Sequence, residues 1–248
     1  MPINVMLPSS PAEVGLMCQS RKSAAMTKLS KPTSSESKSM PSPLAVVPYN
    51  FIQKRYDFNA LLKRLIYLDY LDMHNLTKTE EGTLEDWVKV FKKCRYSSRY
   101  LIDADLNILG YWHFVSLTEP YFKKAKKGLL LDGEIRPSSI YSLNERGIYN
   151  IYFVSIVLLP KIRDTNTIIM LDNSFFDAIY DFAHKGVYFN EVLLNAITPE
   201  GKKHNWGMHF VTKHSLRGNV YYMNFAEFLL KNGSDRNDVL KLYSKRLL

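Results

Sequence analysis

Nine consecutive residues near the middle of the chain, Ile151-Tyr152-Phe153-Val154-Ser155-Ile156-Val157-Leu158-Leu159, are β-branched, aromatic or aliphatic with one serine among them, and Pro160 stops the run. This is about half the length that a membrane-spanning helix needs. Without the three-to-four spacing of an amphipathic helix, the run predicts a strand buried on both faces. Such a strand needs helices on either side, so the chain is expected to build a layered domain around it. Lys161 to Thr167 is almost wholly polar or charged, and an amphipathic segment follows with Leu171, Phe175, Ala178, Ile179 and Phe182 on one side. Gly186 is placed to end that helix, and Val187 to Ile197 returns to strand composition.

The flanking sequence fills in the layers. Asp57 can cap a helix with Phe58, Leu61, Leu62, Leu65 and Leu68 on one face, running to about Asn75. Thr83-Leu84-Glu85-Asp86 opens a second helix striped by Trp87, Val88, Val90 and Phe91. Tyr100–Ile102 and Ile108–Val115, joined by a polar turn, read as a hairpin. Residues 207–211 and 219–223 are two more short strands, and Ser234 can cap a terminal helix. The expected fold class is α+β: a mostly antiparallel sheet flanked by helices, with one strand–helix–strand unit at its centre.

Residues 1–48 differ in kind. None of the chain's aromatic residues precedes Tyr49, whereas seven of its eleven prolines do, along with a serine-rich stretch at 33–39. Such a segment cannot bury enough surface to offset its ordering entropy, so residues 1–48 are expected to be a disordered tail ahead of a domain at 49–248. A plain flexible tail and a basic transit or secretion leader are both open; otherwise the chain reads as soluble and cytoplasmic. The tail carries five basic and two acidic residues, so three units of the formal +9 belong to it and six to the domain. That remainder is modest, and without a helix-turn-helix, ribonucleoprotein or zinc-finger signature it argues against nucleic acid as the partner. With only Cys18 and Cys94, no disulfide framework is available, and no His, Cys, Asp or Glu group has metal-ligand spacing.

The strand-to-helix junction at Pro160 to Thr167 is where chemistry is expected. A helix opening there turns unpaired N–H groups and its positive dipole end towards one spot, which suits an anion such as phosphate. Arg163 could add a cation, and Thr165 or Thr167 could cap the helix or donate to the anion; an ordinary capped turn is the alternative. The Lys123-Lys124-Lys126-Lys127 cluster reads as a solvated helix face or as a second anion site.

The succession Ile156-x-Leu158-x-Pro160-x-x-Arg163, a helix, a strand ending near Asn195, then Gly207-Met208 and a tyrosine-rich strand resembles the core of the GNAT acyltransferase superfamily over residues 55–225. The resemblance implies a GNAT-like domain that takes acetyl-CoA or another acyl-CoA as co-substrate, holds no metal, and acylates a small-molecule or protein amine. It implies that Ile156, Val157 and Leu158 meet the pantetheine arm, that Arg163, Asp164, Thr165, Asn166 and Thr167 form the pyrophosphate loop, and that Asn195 ends the next strand beside it. The family loop reads Arg/Gln-x-x-Gly-x-Gly/Ala; here Asn166 and Ile168 replace the glycines and Asp164 adds a negative charge. Those departures open the alternative of a catalytically inactive binding or regulatory module. Lys203, beside His204, stands where relatives place an acidic tyrosine, and either can protonate a thiolate, with Tyr221 or Tyr222 as substitutes. Each also has a structural reading, as a basic turn or as core tyrosines. Glu134 precedes the central strand and is the candidate base for the acceptor amine, or a turn residue. His113, between Trp112 and Phe114, is expected in the core.

Overall fold

A computed structural model describes residues 43–73, 76–233 and 236–247 of the chain. Its elements follow the order β1 (Ala45–Pro48), α1 (Tyr49–Ile52), α2 (Phe58–Asp72), α3 (Lys78–Glu81), α4 (Leu84–Cys94), β2 (Ser98–Ile102), β3 (Ile108–Val115), α5 (Glu119–Lys126), β4 (Gly147–Leu158), α6 (Thr165–His184), β5 (Val187–Ala196), α7 (Pro199–Lys203), β6 (His209–Lys213), β7 (Asn219–Asn224), α8 (Phe225–Asn232) and α9 (Asn237–Leu247). The strands form one sheet in the order β1-β2-β3-β4-β5-β7-β6. Only the β4–β5 pair is parallel, because α6 carries the chain back between them; the other pairs are antiparallel. This is the expected α+β sheet with its single crossover.

Local signals explain most boundaries. The Asp57 carboxylate accepts from the amides of Asn59 and Ala60 and starts α2, and Thr83 caps α4 through the Asp86 amide. Gly186, at φ 79°, ends the turn after α6 in a conformation that side chains resist. The last helix differs from expectation: Asn224 caps an additional helix, α8, directly after β7, and Ser234 lies outside the described residues. The tail boundary also moves. Val46 and Val47 pair with Leu101 and Tyr100, making 45–48 an edge strand rather than tail, with Pro48 at the edge where its missing N–H costs no ladder bond. The remainder of the predicted tail, residues 1–42, lies outside the described residues.

Two apolar cores lie on opposite faces. Phe114, Phe153, Phe175, Phe182, Phe189 and Phe228 pack with α6, α8 and α9 on one face. Leu61, Leu65, Trp87, Phe91, Tyr100 and Phe122 pack with α2, α4 and α5 on the other. Burying each such side chain contributes about 1.5–3 kcal/mol, so the cores hold the sheet against both helical layers. His113 belongs to this packing as expected: it is 2% exposed, its Nε2 lies 3.3 Å from Cys94 Sγ, and burial lowers its pKa to about 3.

One irregularity decides where the cleft lies. His113 pairs with Ser155 but Phe114 pairs with Phe153, so Val154 is an extra residue in β4. A bulge of this kind reverses which side chains point to which face. Before it Tyr152 faces the α2 side and Phe153 the α6 side; after it Val157 faces α2 and Leu158 faces α6. The parallel pairing of β4 with β5 stops at Phe153–Leu194. Beyond that point β4 stays with β3, as far as Leu158–Gly110, while β5 stays with β7, as far as Ala196–Asn219. The two central strands therefore diverge.

Candidate functional site

The divergence opens a cleft of about 380 Å³ between the ends of β4 and β5. One wall is the β4 segment Val154–Leu158, which has no strand partner on its β5 side. The other is the end of β5 with Asn195 and Ala196, and Trp206 closes the α6 side. Trp206 sits at φ 51° and its ring packs 5.0 Å from Phe153, so the aromatic core fixes it.

Six of the residues singled out from sequence line this cleft: Ile156, Leu158, Arg163, Asn195, Lys203 and His204. Ile156 is 39% exposed between the buried Ser155 and Val157, a consequence of the bulge and the missing neighbour. Asn195 donates from Nδ2 to Arg217 O at 3.2 Å, and its buried Oδ1 has no hydrogen-bond partner. An unmet acceptor in a cleft wall is suited to an incoming N–H.

The predicted anion loop is built differently from the expectation. The Asp164 carboxylate caps α6, accepting from the Thr167 amide and from the Thr167 hydroxyl, each at 2.9 Å. Those hydrogen bonds hold its carboxyl below the usual range. Thr167 is thus buried as a donor to Asp164, and neither Thr165 nor Thr167 is the cap. A carboxylate already sits where a phosphate was expected to meet the dipole, and neither Thr165, Asn166 nor Thr167 borders the cleft. Arg163 is also committed: Nε donates to Leu158 O at 2.8 Å and Nη2 pairs with Asp72 at the end of α2. It ties the splayed end of β4 to α2. Val157 points into the α2-side core, so only its backbone edge faces β5.

Three other candidates, Glu134, Tyr221 and Tyr222, stand outside the cleft. Glu134 does not border the cleft: it is held by Lys124 Nζ at 2.9 and 2.7 Å and accepts the Leu131 amide, and the Lys124 bond holds its pKa low. It is a turn residue. Tyr221 is 8% exposed, edge-on to Phe210 in the core, with its hydroxyl near Asn219. Tyr222 donates to Glu191 at 2.6 Å beneath Lys126. The lysine cluster is a paired helix face, with Lys123, Lys124 and Lys126 bonded to Glu119, Glu134 and Glu191.

On the α2 side the cleft contains carboxyls that the sequence did not single out. Asp132 accepts from Tyr152 Oη at 2.8 Å, and desolvation raises its pKa to about 7 against that hydrogen bond. Glu81, 7% exposed, has its pKa raised to about 10 by burial and then by the charges of Asp69 and Asp132. Behind them Asp69, 2% exposed, accepts from Tyr111 Oη at 2.5 Å, and burial raises it to about 7. On the α6 side Asp172 is raised to about 6 by burial, opposed by the Trp206 hydrogen bond and by His204. A cleft with shifted carboxyls at one end and Lys203 with His204 at the other has the makings of proton transfer. The available signal was Thr77-x-x-Glu80, a capping box that builds α3. Nothing local shows that α3 meets the turn at Asp132.

Among the described residues no group of three or more His, Cys, Asp or Glu could hold a metal ion, and no helix is long and apolar enough to cross a membrane. No protein-family model and no curated protein matches the chain. Solved structures similar to it include an acetyltransferase of the GNAT family from Staphylococcus aureus Mu50, with TM-score 0.46 and 10% identity over 73% of this chain and 99% of that one. The loading GNATL domain of CurA from Lyngbya majuscula gives 0.44 and 10% over 75% and 98%. A GNAT family N-acetyltransferase from Escherichia coli in complex with CoA gives 0.42 and 9% over 83% and 89%. These three are named as GNAT proteins, and all are of low identity to this chain. The cleft, not these distant likenesses, carries the functional argument.

Proposed function

We propose that the chain is an acyl-CoA-dependent N-acyltransferase, in its simplest form moving acetyl from acetyl-CoA to a small-molecule or protein amine. The observation that carries this is the splay of β4 from β5, which leaves the β5-facing backbone edge of Val154–Val157 without a strand partner among the described residues, along one wall of a cleft. An extended amide-containing chain can pair with such an edge as a strand would. Asn195 lines the same space from β5. The pantetheine part of the coenzyme therefore fits the residues present. Its pyrophosphate does not fit the start of α6, where Asp164 already fills the cap, and Lys203 is a cation that lines the cleft.

Catalysis on this scaffold is mostly positioning. The amine lone pair forms the N–C bond while the C–S pair leaves with sulfur. An unpaired amide of β4 stabilises the charge on the carbonyl oxygen, a carboxylate on the α2 side takes the proton that the amine gives up, and Lys203 or His204 returns one to sulfur. A thermal-shift comparison of acetyl-CoA, CoA and a longer acyl-CoA tests the reading. Stabilisation by a thioester supports it; no shift with any of the three at millimolar concentration sinks it.

A further inference from the structure

The described part of the α2-side cleft carries more negative than positive groups. From α2 come Asp69 and Asp72, from α3 Glu80 and Glu81, from β3 Tyr111, from the turn before β4 Asp132, from β4 Tyr152, and from the β6–β7 connection His214 and Arg217. Two carboxylates are matched internally: Asp72 by Arg163, and Glu80 by a two-pronged contact with Arg217, Nη2 to Oε2 being 2.7 Å. His214 is taken up by the backbone, Nε2 donating to Leu130 O at 2.8 Å and Nδ1 accepting from the Leu216 amide at 3.3 Å. Asp69, Glu81 and Asp132 have no cation partner among the described residues.

Two of the three are also short of hydrogen bonds. Glu81 lines the cleft at 7% exposure, and its carboxyl has no hydrogen-bond partner among the described residues. Asp69 Oδ1 is buried and unpartnered. Buried polar atoms are rarely left so unless a ligand meets them. The cation they suit is organic, because the carboxyls do not converge as metal ligands.

We propose that this half of the cleft seats a small aliphatic di- or polyamine, its reacting amine turned to the thioester and a second ammonium held by Glu81 and Asp132 with Asp69 behind them. The inference rests on the acyl-transfer reading for its reacting amine. The second charge also serves the proton balance. In the empty cleft, desolvation favours the protonated form of Glu81, which cannot take a proton from the reacting amine. A monoamine that hands over its proton becomes neutral and leaves nothing to hold a carboxylate ionised. A second ammonium, which keeps its proton, ionises one carboxyl on arrival and so creates the proton acceptor.

Calorimetric titration of the full chain with 1,4-diaminobutane, spermidine, n-butylamine and 1-butanol, without acyl donor, tests this in two buffers of different ionisation enthalpy. The expected result is a dissociation constant for 1,4-diaminobutane at least tenfold below that of n-butylamine, none measurable for 1-butanol, and proton release on diamine binding. Glu81→Gln and Asp132→Asn should each weaken diaminobutane at least tenfold while melting cooperatively. Asp132→Asn retains an acceptor for Tyr152 and carries the test alone should Glu81→Gln not fold. Equal affinity for mono- and diamine, or unchanged diamine affinity in the folded variants, overturns the proposal. Diamine binding without any thioester shift would sink the acyl-transfer reading and leave the cation site; a thioester shift without diamine preference would do the reverse.

Discussion

Replacing Asp132 by asparagine should stabilise the protein, and increasingly so as pH rises. The structure raises its pKa from the ordinary 3.8 to about 7, chiefly by burial. A group raised on folding adds stability that is complete below its unfolded value and is lost as pH climbs through its folded one. In the native chain that loss therefore runs from about pH 4 to pH 7 and is complete by about pH 8. Three units at about 1.4 kcal/mol each give about 4 kcal/mol as a ceiling, and the partial exposure of a residue in an open cleft brings it to about 2 kcal/mol. Asparagine has nearly the same shape, still accepts from Tyr152 Oη, and does not titrate. The gain over the native chain should grow by about 1–2 kcal/mol between pH 5 and pH 8, or about 4 °C in midpoint for a domain of this size. Urea unfolding of both proteins at the two pH values measures it. A difference that stays constant with pH would show that Asp132 ionises in the folded state as it does in water, and the account of the α2-side carboxyls would fall with it.

Asp164→Ala should lower stability through the lost cap, yet raise affinity for CoA by freeing the amides at the start of α6; titration with CoA that shows no gain would contradict the assignment of Asp164 as the group filling that site. Gly218→Ala places a Cβ 2.2 Å from Asn195 Oδ1 at a φ of 102°, so Asn195 must swing. A loss of about 1–3 kcal/mol is expected in a thermal melt, with KM for the thioester rising more than kcat falls; unchanged KM would remove Asn195 from the donor site. Trp112→Phe removes an indole N–H that donates to Ser174 at 2.9 Å inside the α6-side core, at a cost of about 2 kcal/mol in denaturant unfolding. Affinity for ligands of the cleft should not change in that variant, and a change would mean that the core and the cleft are coupled.

The sequence alone determined the elements whose signals are local. The run at 151–159, the Asp57 and Thr83 caps, the five-residue apolar stripe of α6 and Gly186 each act within a few residues of themselves, and β4, α2, α4 and α6 stand where they put them. It also pointed to β4, the following loop and the end of β5, through the helix opening after Pro160 and the GNAT resemblance; of that loop Arg163 lines the cleft, and Asp164 to Thr167 do not. Features that depend on partners far along the chain were settled only by tertiary structure. Arg163 is committed because α2 brings Asp72 to it across more than ninety residues. Glu134 and Asp132 are two residues apart and equally acidic in sequence; one turns to Lys124 at the surface and the other to Tyr152 in the cleft. Burial sets the free energy of a carboxyl, and burial is a property of what the rest of the chain packs around it. No window of sequence contains the bulge at Val154, the stop of pairing at Phe153 or the meeting of α3 with the turn before β4, and those three contacts make the cleft.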